Sequence, residues 1–281
     1  MSLSLDLARL LASRALSAEE RERLKSLRFA NAGHGYDAFG LHPDVVALGE
    51  VLLGPVYDRY FRVTSYGCAD AVPATGPAVL AANHSGALPV DGAMIWLDVL
   101  RHTHPPRVAR AVADHFVPML PLIGTFFARG GMVGGSRGNA RVLLEAGELL
   151  LIFPEGVPGI GKHFKDRYKL QDWRVGHVEL AIRHRAPVVP IAVVGAEEQM
   201  PQLGRIPIAF AGAPFIPVTL TPLPMPVHYH LHYGAPIRTD LEYKPEHADD
   251  PAAVREAAAR VKAAVQALVD KGLAERPGIF T

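Results

Sequence analysis

The sequence predicts an α/β protein in which a mixed, partly parallel sheet is flanked by helices and preceded by a helical N-terminal extension. Beyond residue 60, short apolar runs alternate with segments of helical periodicity, which is typical of strands joined by crossover helices. The chain has 281 residues, of which 49% are hydrophobic, so it can bury a sizeable core. We predict buried strands over residues 77–82, 107–112, 149–153 and 188–194, and helices over 91–101, 139–147, 175–185 and 251–271.

Residues 1–60 are predicted to form the helical extension, and residues 61–281 the α/β domain. Within the extension, residues 18–28 are charged and helix-prone, and residues 43–60 carry an apolar stripe. The first helix is expected either to pack on the body of the protein or to lie on a membrane surface. Its leucines recur at helical spacing: Leu3, Leu7, Leu10 and Leu11. The N-terminal segment lacks the basic leader and the unbroken apolar run of a secretory signal.

The charge balance and the cysteine count exclude several classes of protein. Lysine and arginine number 29 against 28 aspartate and glutamate, a net charge of +1 that gives no support to a nucleic-acid partner. Cys68 is the only cysteine, so we expect neither an internal disulfide nor a cysteine-based zinc site. We therefore expect no bound metal, and a reducing, cytoplasmic location is allowed.

One segment resembles a membrane span in composition only. Residues 206–227 contain no charged side chain but six prolines, a density that a helix in lipid does not tolerate. We predict an irregular apolar loop, which either contacts lipid or an acyl chain or is buried against the core. The apolar segment 117–128 is too short to span a bilayer.

The first candidate site follows the strand predicted over residues 77–82. Asn83 and His84 end this strand, and Asp91 follows at the start of the next helix. A histidine can accept a proton near neutral pH, and a carboxylate can fix its tautomer. If the loop folds back at Gly86, His84 reaches Asp91; otherwise Asp91 only favours the helix N-terminus, and His84 is an ordinary core histidine.

Three further features carry candidate site residues: a turn after a predicted strand, a predicted helix N-terminus and a proline within a predicted strand. Glu155 and Gly156 follow the strand over residues 149–153, and a basic loop containing Lys162 comes next. Arg137 lies beside glycines at a predicted helix N-terminus, an arrangement that suits a phosphate, although for such an arginine alone a solvated side chain in a turn is the commoner explanation. Pro190 interrupts the strand over 188–194, which indicates an edge, a bulge or backbone left open near a ligand.

Taken together and in this order, these clusters resemble the four sequence blocks of the glycerolipid acyltransferase family (lysophosphatidic acid acyltransferase-like). The family has an Asn-His…Asp block, a Gly-x-x-x-x-x-Arg block, a Phe-Pro-Glu-Gly block and a Val-Pro-Ile block. They match Asn83-His84…Asp91, Gly131…Arg137, Phe153-Pro154-Glu155-Gly156 and Val189-Pro190-Ile191, so that the resemblance covers about residues 60–240.

The resemblance implies transfer of a fatty acyl group from acyl-CoA or acyl carrier protein, as co-substrate, to the hydroxyl of a lysophospholipid or related glycerolipid. His84 is then the general base and Asp91 orients it. Arg137, Glu155 and Gly156 hold the polar, phosphate-bearing acceptor, with Lys162 as an additional contact by its charge. It also implies a protein that is peripheral on the membrane, on the cytoplasmic side, and needs no separate cofactor.

Two departures from the family pattern bear on these roles. The family usually has four residues between the histidine and the aspartate, whereas six lie between His84 and Asp91. In addition, Arg129 competes with Arg137 as the residue that holds the acceptor phosphate, although Arg137 has the better spacing.

Two other functions are open on sequence grounds. Gly134-Gly135-Ser136-Arg137-Gly138 fits the nucleophile elbow of a serine esterase or thioesterase, with Asp166 or Asp172 and His228 as partners, but this leaves the other blocks unexplained. A metal-binding or non-catalytic lipid-binding protein is the second alternative. His228, His230 and His232 alternate along a predicted strand, and we expect them to be exposed and too far apart for a shared metal.

Overall fold

The computed structural model describes residues 2–85, 88–113, 123–208 and 215–281. Its centre is a seven-stranded sheet with the order β1-β9-β6-β2-β5-β3-β4, and an antiparallel hairpin of β7 and β8 lies outside it. The strands are β1 (Thr64–Tyr66), β2 (Ala78–Ala82), β3 (Ala109–Ala113), β4 (Val133–Gly134), β5 (Leu149–Ile152), β6 (Val188–Val194), β7 (Gln202–Ile206), β8 (Ile216–Thr219) and β9 (His230–Tyr233).

The pairing makes the sheet mixed but mostly parallel, as predicted. Strands β6, β2, β5, β3 and β4 are parallel to one another, and β9 runs antiparallel to β6. The carboxyl ends of β2, β5 and β6 therefore meet at one edge of the sheet, where loops that carry chemistry gather in α/β proteins. The predicted class of fold is confirmed.

Twelve α-helices lie within the described ranges, and a π-helical turn (Val56–Tyr60) continues the third. Those that cover the sheet correspond to the predicted helices with end points that differ by a few residues. The helices are α1 (Ser2–Ala15), α2 (Ala18–Lys25), α3 (Pro43–Pro55), α4 (Cys68–Ala71), α5 (Val90–His102), α6 (Ile123–Arg129), α7 (Arg137–Glu145), α8 (Val157–Ile160), α9 (Gly176–Arg183), α10 (Ala196–Gln199), α11 (Thr239–Glu242) and α12 (Pro251–Glu275).

Both faces of the sheet are buried, which explains why its central strands are continuously apolar. Alternate residues of β2 enter different clusters: Leu80 packs with side chains of α3 and α5, and Val79 packs with those of α7, α9 and α12. Residues 41–61 join the same cluster as Leu80. The boundary proposed near residue 60 stays a prediction.

The first helix presents three of its leucines to solvent. Ala8 and Ala12 are buried, whereas Leu7, Leu10 and Leu11 are exposed. The helix predicted from the leucine spacing is present, but Ala8 and Ala12, rather than these three leucines, face the body of the protein.

Two sequence interpretations need correction. The apolar segment 206–227 is not wholly irregular, because β8 and the end of β7 form a hairpin; residues 209–214 lie outside the described part. His230 and His232 are buried, not exposed, because β9 lies inside the sheet and α12 covers it, with Gly272 against the His232 ring. The apolar segment 117–128 is described only from residue 123, where α6 begins.

Candidate active site

The structure brings His84 and Asp91 together beyond the carboxyl end of β2. Nδ1 of His84 donates a hydrogen bond to Oδ2 of Asp91 over 2.8 Å. The Asp91 carboxylate is fully buried, whereas 18% of the His84 side chain is exposed. Because the carboxylate holds the proton on Nδ1, Nε2 is the ring nitrogen that can accept a proton from a bound molecule.

The Asp91 carboxylate also explains how the longer loop folds back. Its Oδ2 accepts from the backbone N–H of Ser85 over 2.9 Å, and its Oδ1 accepts from the backbone N–H of Gly92 over 2.7 Å. Three hydrogen bonds compensate the burial of a charged group and tie the end of β2 to the first turn of α5. The predicted turn at Gly86 lies outside the described residues.

The Phe-Pro-Glu-Gly turn supports His84 from two directions. The Phe153 ring stacks on the His84 ring with centroids 4.2 Å apart. Glu155 accepts from the backbone N–H of His84 over 3.2 Å and from that of Gln171 over 2.8 Å. Gly156 has a φ of 55°, a left-handed conformation that favours glycine. The turn thus fixes the histidine against the end of β5.

Lys162 is buried beneath this turn and bound by carboxylates. Its Nζ lies 2.9 Å from Oε1 of Glu197 and 3.5 Å from Oε2 of Glu155. Burial raises the pKa of Glu197, and the positive charge of Lys162 opposes this shift. Lys162 and Glu155 are therefore oriented toward each other inside the protein, a geometry that positions the turn.

Asn83 joins two neighbouring strands. Its side-chain amide donates to the backbone oxygen of Val193 over 3.0 Å, and its side-chain oxygen accepts from the N–H of Val193 over 2.7 Å. This paired contact extends the pairing of β2 with β6 beyond the last residue of β2. Asn83 is fully buried, so it sets the direction in which the chain enters His84.

Pro190 lies inside β6, opposite Ala81, and not at an edge or bulge of the sheet. Its carbonyl accepts from the N–H of Gly234 over 2.9 Å, just beyond the ladder of β6 with β9, and Gly234 lies close to the proline ring. A Cβ on Gly234 would lie 2.9 Å from Cγ of Pro190. The missing side chain makes room for the ring.

The two arginines considered for the acceptor phosphate differ in their surroundings. The Arg137 side chain is 79% exposed and lies 2.9 Å from Oε2 of Glu179. Arg129 ends α6, where its guanidinium lies 5.8 Å from the centre of the Tyr36 ring and its carbonyl accepts from the N–H of His42. An exposed ion pair such as that of Arg137 is weak and can exchange for a phosphate.

Arg174 is a site residue that the sequence did not indicate. Its backbone N–H bonds to the carbonyl of Pro154 over 3.0 Å, which places it beside the Phe-Pro-Glu-Gly turn. Atoms of its exposed guanidinium lie 3.6–3.8 Å from where a Cβ on Gly156 would be, and it forms no salt bridge with any residue that the structure describes. In the sequence it is a lone arginine before a helix, and only the fold brings it to the turn.

The serine hydrolase alternative lacks support from the geometry. Ser136 caps α7, and its Oγ accepts from the N–H of Asn139 over 3.1 Å. His228 instead contacts Oγ1 of Thr64 and the carbonyl of Thr281. Thr64 lies in β1, the edge strand on the side of the sheet opposite β4, and Thr281 is the C-terminal residue. Within the described ranges, Ser136 and His228 therefore have separate sets of partners.

One group outside this site has the composition of a metal site. Cys68, Asp98 and His102 offer ligand atoms within 4.8 Å of one another, a set that zinc accepts even with a single cysteine. The Asp98 carboxylate, however, already accepts hydrogen bonds from Tyr57 and Ser65 and lies 3.0 Å from Nδ1 of His102. These contacts satisfy the buried carboxylate without an ion.

Comparisons with known proteins point to acyltransferases. Residues 63–194 match the family model described as Acyltransferase. An uncharacterized protein of Mycobacterium tuberculosis is 36% identical over 98% of this chain and 77% of its own length. A bovine protein named DGAT1/2-independent enzyme synthesizing storage lipids is 29% identical over 72% of this chain and 58% of its own.

A solved structure shares the fold. The crystal structure of the 1-acyl-sn-glycerophosphate acyltransferase PlsC from Thermotoga maritima has a TM-score of 0.56 over 96% of this chain and 89% of that one, at 16% identity. Among the helices in the described ranges, none combines the length and the apolar character needed to cross a bilayer.

Proposed function

The chain belongs to the glycerolipid acyltransferase family, and we propose that it transfers a fatty acyl group from an acyl thioester to the hydroxyl of a lysophospholipid or related glycerolipid. Acyl-CoA and acyl carrier protein are the two donors in question. The observation that carries the proposal is the hydrogen bond of 2.8 Å between Nδ1 of His84 and Oδ2 of Asp91. It leaves Nε2 of a partly exposed imidazole as a base at the rim of the sheet.

In the proposed reaction, Nε2 of His84 takes the proton of the acceptor hydroxyl as its oxygen attacks the thioester carbonyl. Collapse of the tetrahedral intermediate breaks the carbon–sulfur bond, and the leaving thiolate takes the proton back from His84. Asp91 stabilises the imidazolium that forms between these steps. No acyl-enzyme is needed, because the hydroxyl attacks the donor directly.

We assign the anionic part of the acceptor to Arg137 and to Arg174, which the fold adds to the set. Arg174 lies over Gly156 and has no acidic partner among the described residues. A phosphate could therefore bind its guanidinium without breaking an existing salt bridge. The loops of His84 and Gly156 are held in place by three residues, Asn83, Glu155 and Lys162. Pro190 belongs to β6, the strand that pairs with β2 beside His84.

We further propose that the protein works from the cytoplasm at a membrane surface, where both the acceptor and the product reside. The exposed leucines of α1 support this assignment: Leu7, Leu10 and Leu11. They match the apolar face of a helix that lies in a bilayer interface.

The decisive experiment incubates the purified protein with labelled palmitoyl-CoA and separate acceptors, and distinguishes acylated lipid from free fatty acid. The panel contains lysophosphatidic acid, lysophosphatidylcholine and, because of the relative named for storage lipids, diacylglycerol. We expect acylated lipid with at least one acceptor. His84→Ala should lower that rate about 10²–10⁴-fold while the circular dichroism spectrum stays unchanged.

Two results would contradict the proposal. Free fatty acid with every acceptor, abolished by Ser136→Ala, would establish the hydrolase instead. Near-normal transfer by His84→Ala would leave the acyltransferase activity standing but remove the histidine from its mechanism.

A further inference from the structure

The hairpin of β7 and β8 exposes an unusual number of large apolar side chains. We call its described residues, 202–208 and 215–223, the apolar hairpin. Its members are between 40% and 73% exposed, and they do not join the main core: Leu203, Ile206, Ile208, Val218, Leu220 and Leu223. Large apolar side chains are seldom grouped on the surface of a soluble monomeric protein, and such a patch indicates a binding surface.

Charge indicates what kind of partner fits. Between residues 199 and 237 the sequence contains no aspartate or glutamate, and its one charged side chain is Arg205. Arg205 also lines a groove of about 760 Å³ between the hairpin and the basic loop, together with Lys165, Lys169 and Asp166, whose Oδ1 lies 3.2 Å from Nζ of Lys169. Apolar side chains beside lysine and arginine match a lipid surface with anionic head groups.

The apolar hairpin lies close to the proposed active site. The short helix α8 separates them: a Cβ on Gly159 would lie 3.1 Å from Cβ of His84, and a Cβ on Gly161 would lie 3.2 Å from the Phe215 ring. A lipid surface that covers the hairpin therefore lies beside the rim of the sheet that carries His84.

We propose that the apolar hairpin is a membrane-inserting element, with its apolar side chains among the acyl chains of the lipid and Arg205 and Lys165 on anionic head groups. The inference rests on the proposed function for the choice of lipid as occupant. It goes beyond that function by assigning the contact to a hairpin rather than to α1 alone. Vesicle binding can be measured without turnover, so its failure is distinct from a failure of the acyltransferase assignment.

The test compares the binding of purified full-length variants to sedimenting vesicles of phosphatidylcholine, with and without phosphatidylglycerol. The double variant Leu220→Glu/Leu223→Glu should bind mixed vesicles at least about tenfold more weakly, because charges replace inserted apolar groups. Leu241→Glu is the matched control, since Leu241 is 67% exposed on α11 and does not belong to the apolar hairpin. It should bind like the unaltered protein.

A second pair of measurements tests the cationic part. Arg205→Gln and Lys165→Gln should each weaken binding about fivefold on vesicles that contain phosphatidylglycerol and have little effect on phosphatidylcholine alone. Melting temperatures within the range of the control variant show that the folds are intact.

Three outcomes would overturn the inference. Unchanged binding by the double variant would assign the membrane contact elsewhere, with the leucines of α1 as the remaining patch. Equal loss in Leu241→Glu would show a non-specific effect of added negative charge. A dimer in sedimentation equilibrium that the double variant converts to monomer, without any change in vesicle binding, would identify a second copy as the occupant.

Discussion

At the scale of single residues, the proposed chemistry depends on one carboxylate with several simultaneous partners. Asp91 accepts from Nδ1 of His84 and from two backbone N–H groups, those of Ser85 and Gly92. It therefore selects the tautomer of the base and holds the loop that carries the base. Removal of its charge must disturb both functions, which distinguishes it from a residue that only orients.

Asp91→Asn should lower kcat/KM about 10²–10⁴-fold, because an amide cannot accept from all three donors and the histidine proton moves to Nε2. The same change should lower the free energy of unfolding by about 1–3 kcal/mol, since a buried donor loses its acceptor. Steady-state kinetics and urea unfolding measure the two effects. Asp249→Asn, at an exposed ion pair with Arg183, should change neither. Full activity in Asp91→Asn would refute the proposed role.

The sequence predicts this pair because both residues lie close in the chain, at the end of one strand and the start of the next helix. Arg174 could not be found in the same way. It lies 18 residues after Gly156, and its position beside the turn depends on the backbone bond to the Pro154 carbonyl. The internal pairing of Lys162 with Glu197 escapes the sequence for the same reason: their approach is a property of the tertiary fold.

At the scale of elements, the short helix α8 sets the distance between the Phe-Pro-Glu-Gly turn and His84. It can approach because Gly159 has no side chain. A Cβ there would lie 2.8 Å from Cβ of Glu155 and 3.1 Å from Cβ of His84. These are backbone-proximal atoms, which cannot move aside as the end of a flexible side chain can.

Gly159→Ala should therefore displace the His84 turn, with a loss in kcat of at least about tenfold, since a misplacement of 1 Å can cost about 10² in rate. Overpacking should also lower stability by about 1–3 kcal/mol. Gly176→Ala is the control, because a Cβ there meets no atom within 4 Å, and it should keep full activity. Activity assays beside thermal unfolding separate the two effects. Equal rates for the two variants would show that α8 does not position the base.

Element prediction succeeded where one periodicity determined the structure. The strands at the centre of the sheet are continuously apolar because helices cover both faces, and these apolar runs can be recognised in the sequence. The hairpin of β7 and β8 escaped prediction because its prolines obscure the alternation typical of strands. The polar side chains of His230 and His232 predict exposure, whereas the position of β9 between β1 and β6 buries them.

At the scale of the whole molecule, burial keeps two histidines neutral that the unfolded chain would protonate. Burial lowers the pKa of His177 to about 4, although its hydrogen bond to the Arg174 carbonyl opposes this shift. The pKa of His230 is also lowered to about 4, first by burial and then by the neighbouring histidines. At these two positions the native state therefore binds fewer protons than the unfolded state in weakly acidic solution.

The sign of the resulting pH dependence follows from linkage. Above the ordinary histidine pKa of about 6.5 neither state is protonated at these positions, and their contribution to stability is complete. As the pH falls from about 6.5 toward 4, the unfolded state takes up the protons and the free energy of unfolding decreases. Each such histidine contributes a slope of up to about 1.4 kcal/mol for each pH unit.

His177→Gln should remove one of these contributions. Glutamine can still donate to the Arg174 carbonyl but does not titrate, so the free energy of unfolding should fall less steeply between pH 6.5 and 4, by up to about 1.4 kcal/mol for each pH unit. Some slope remains because His230 titrates in the same direction. Urea unfolding at several pH values measures the difference, and His34→Asn, at an exposed position, should leave the slope unchanged. A variant as steep as the unaltered protein would mean that His177 is accessible to protons in the native state, and the packing of α9 beside the proposed site would then need revision.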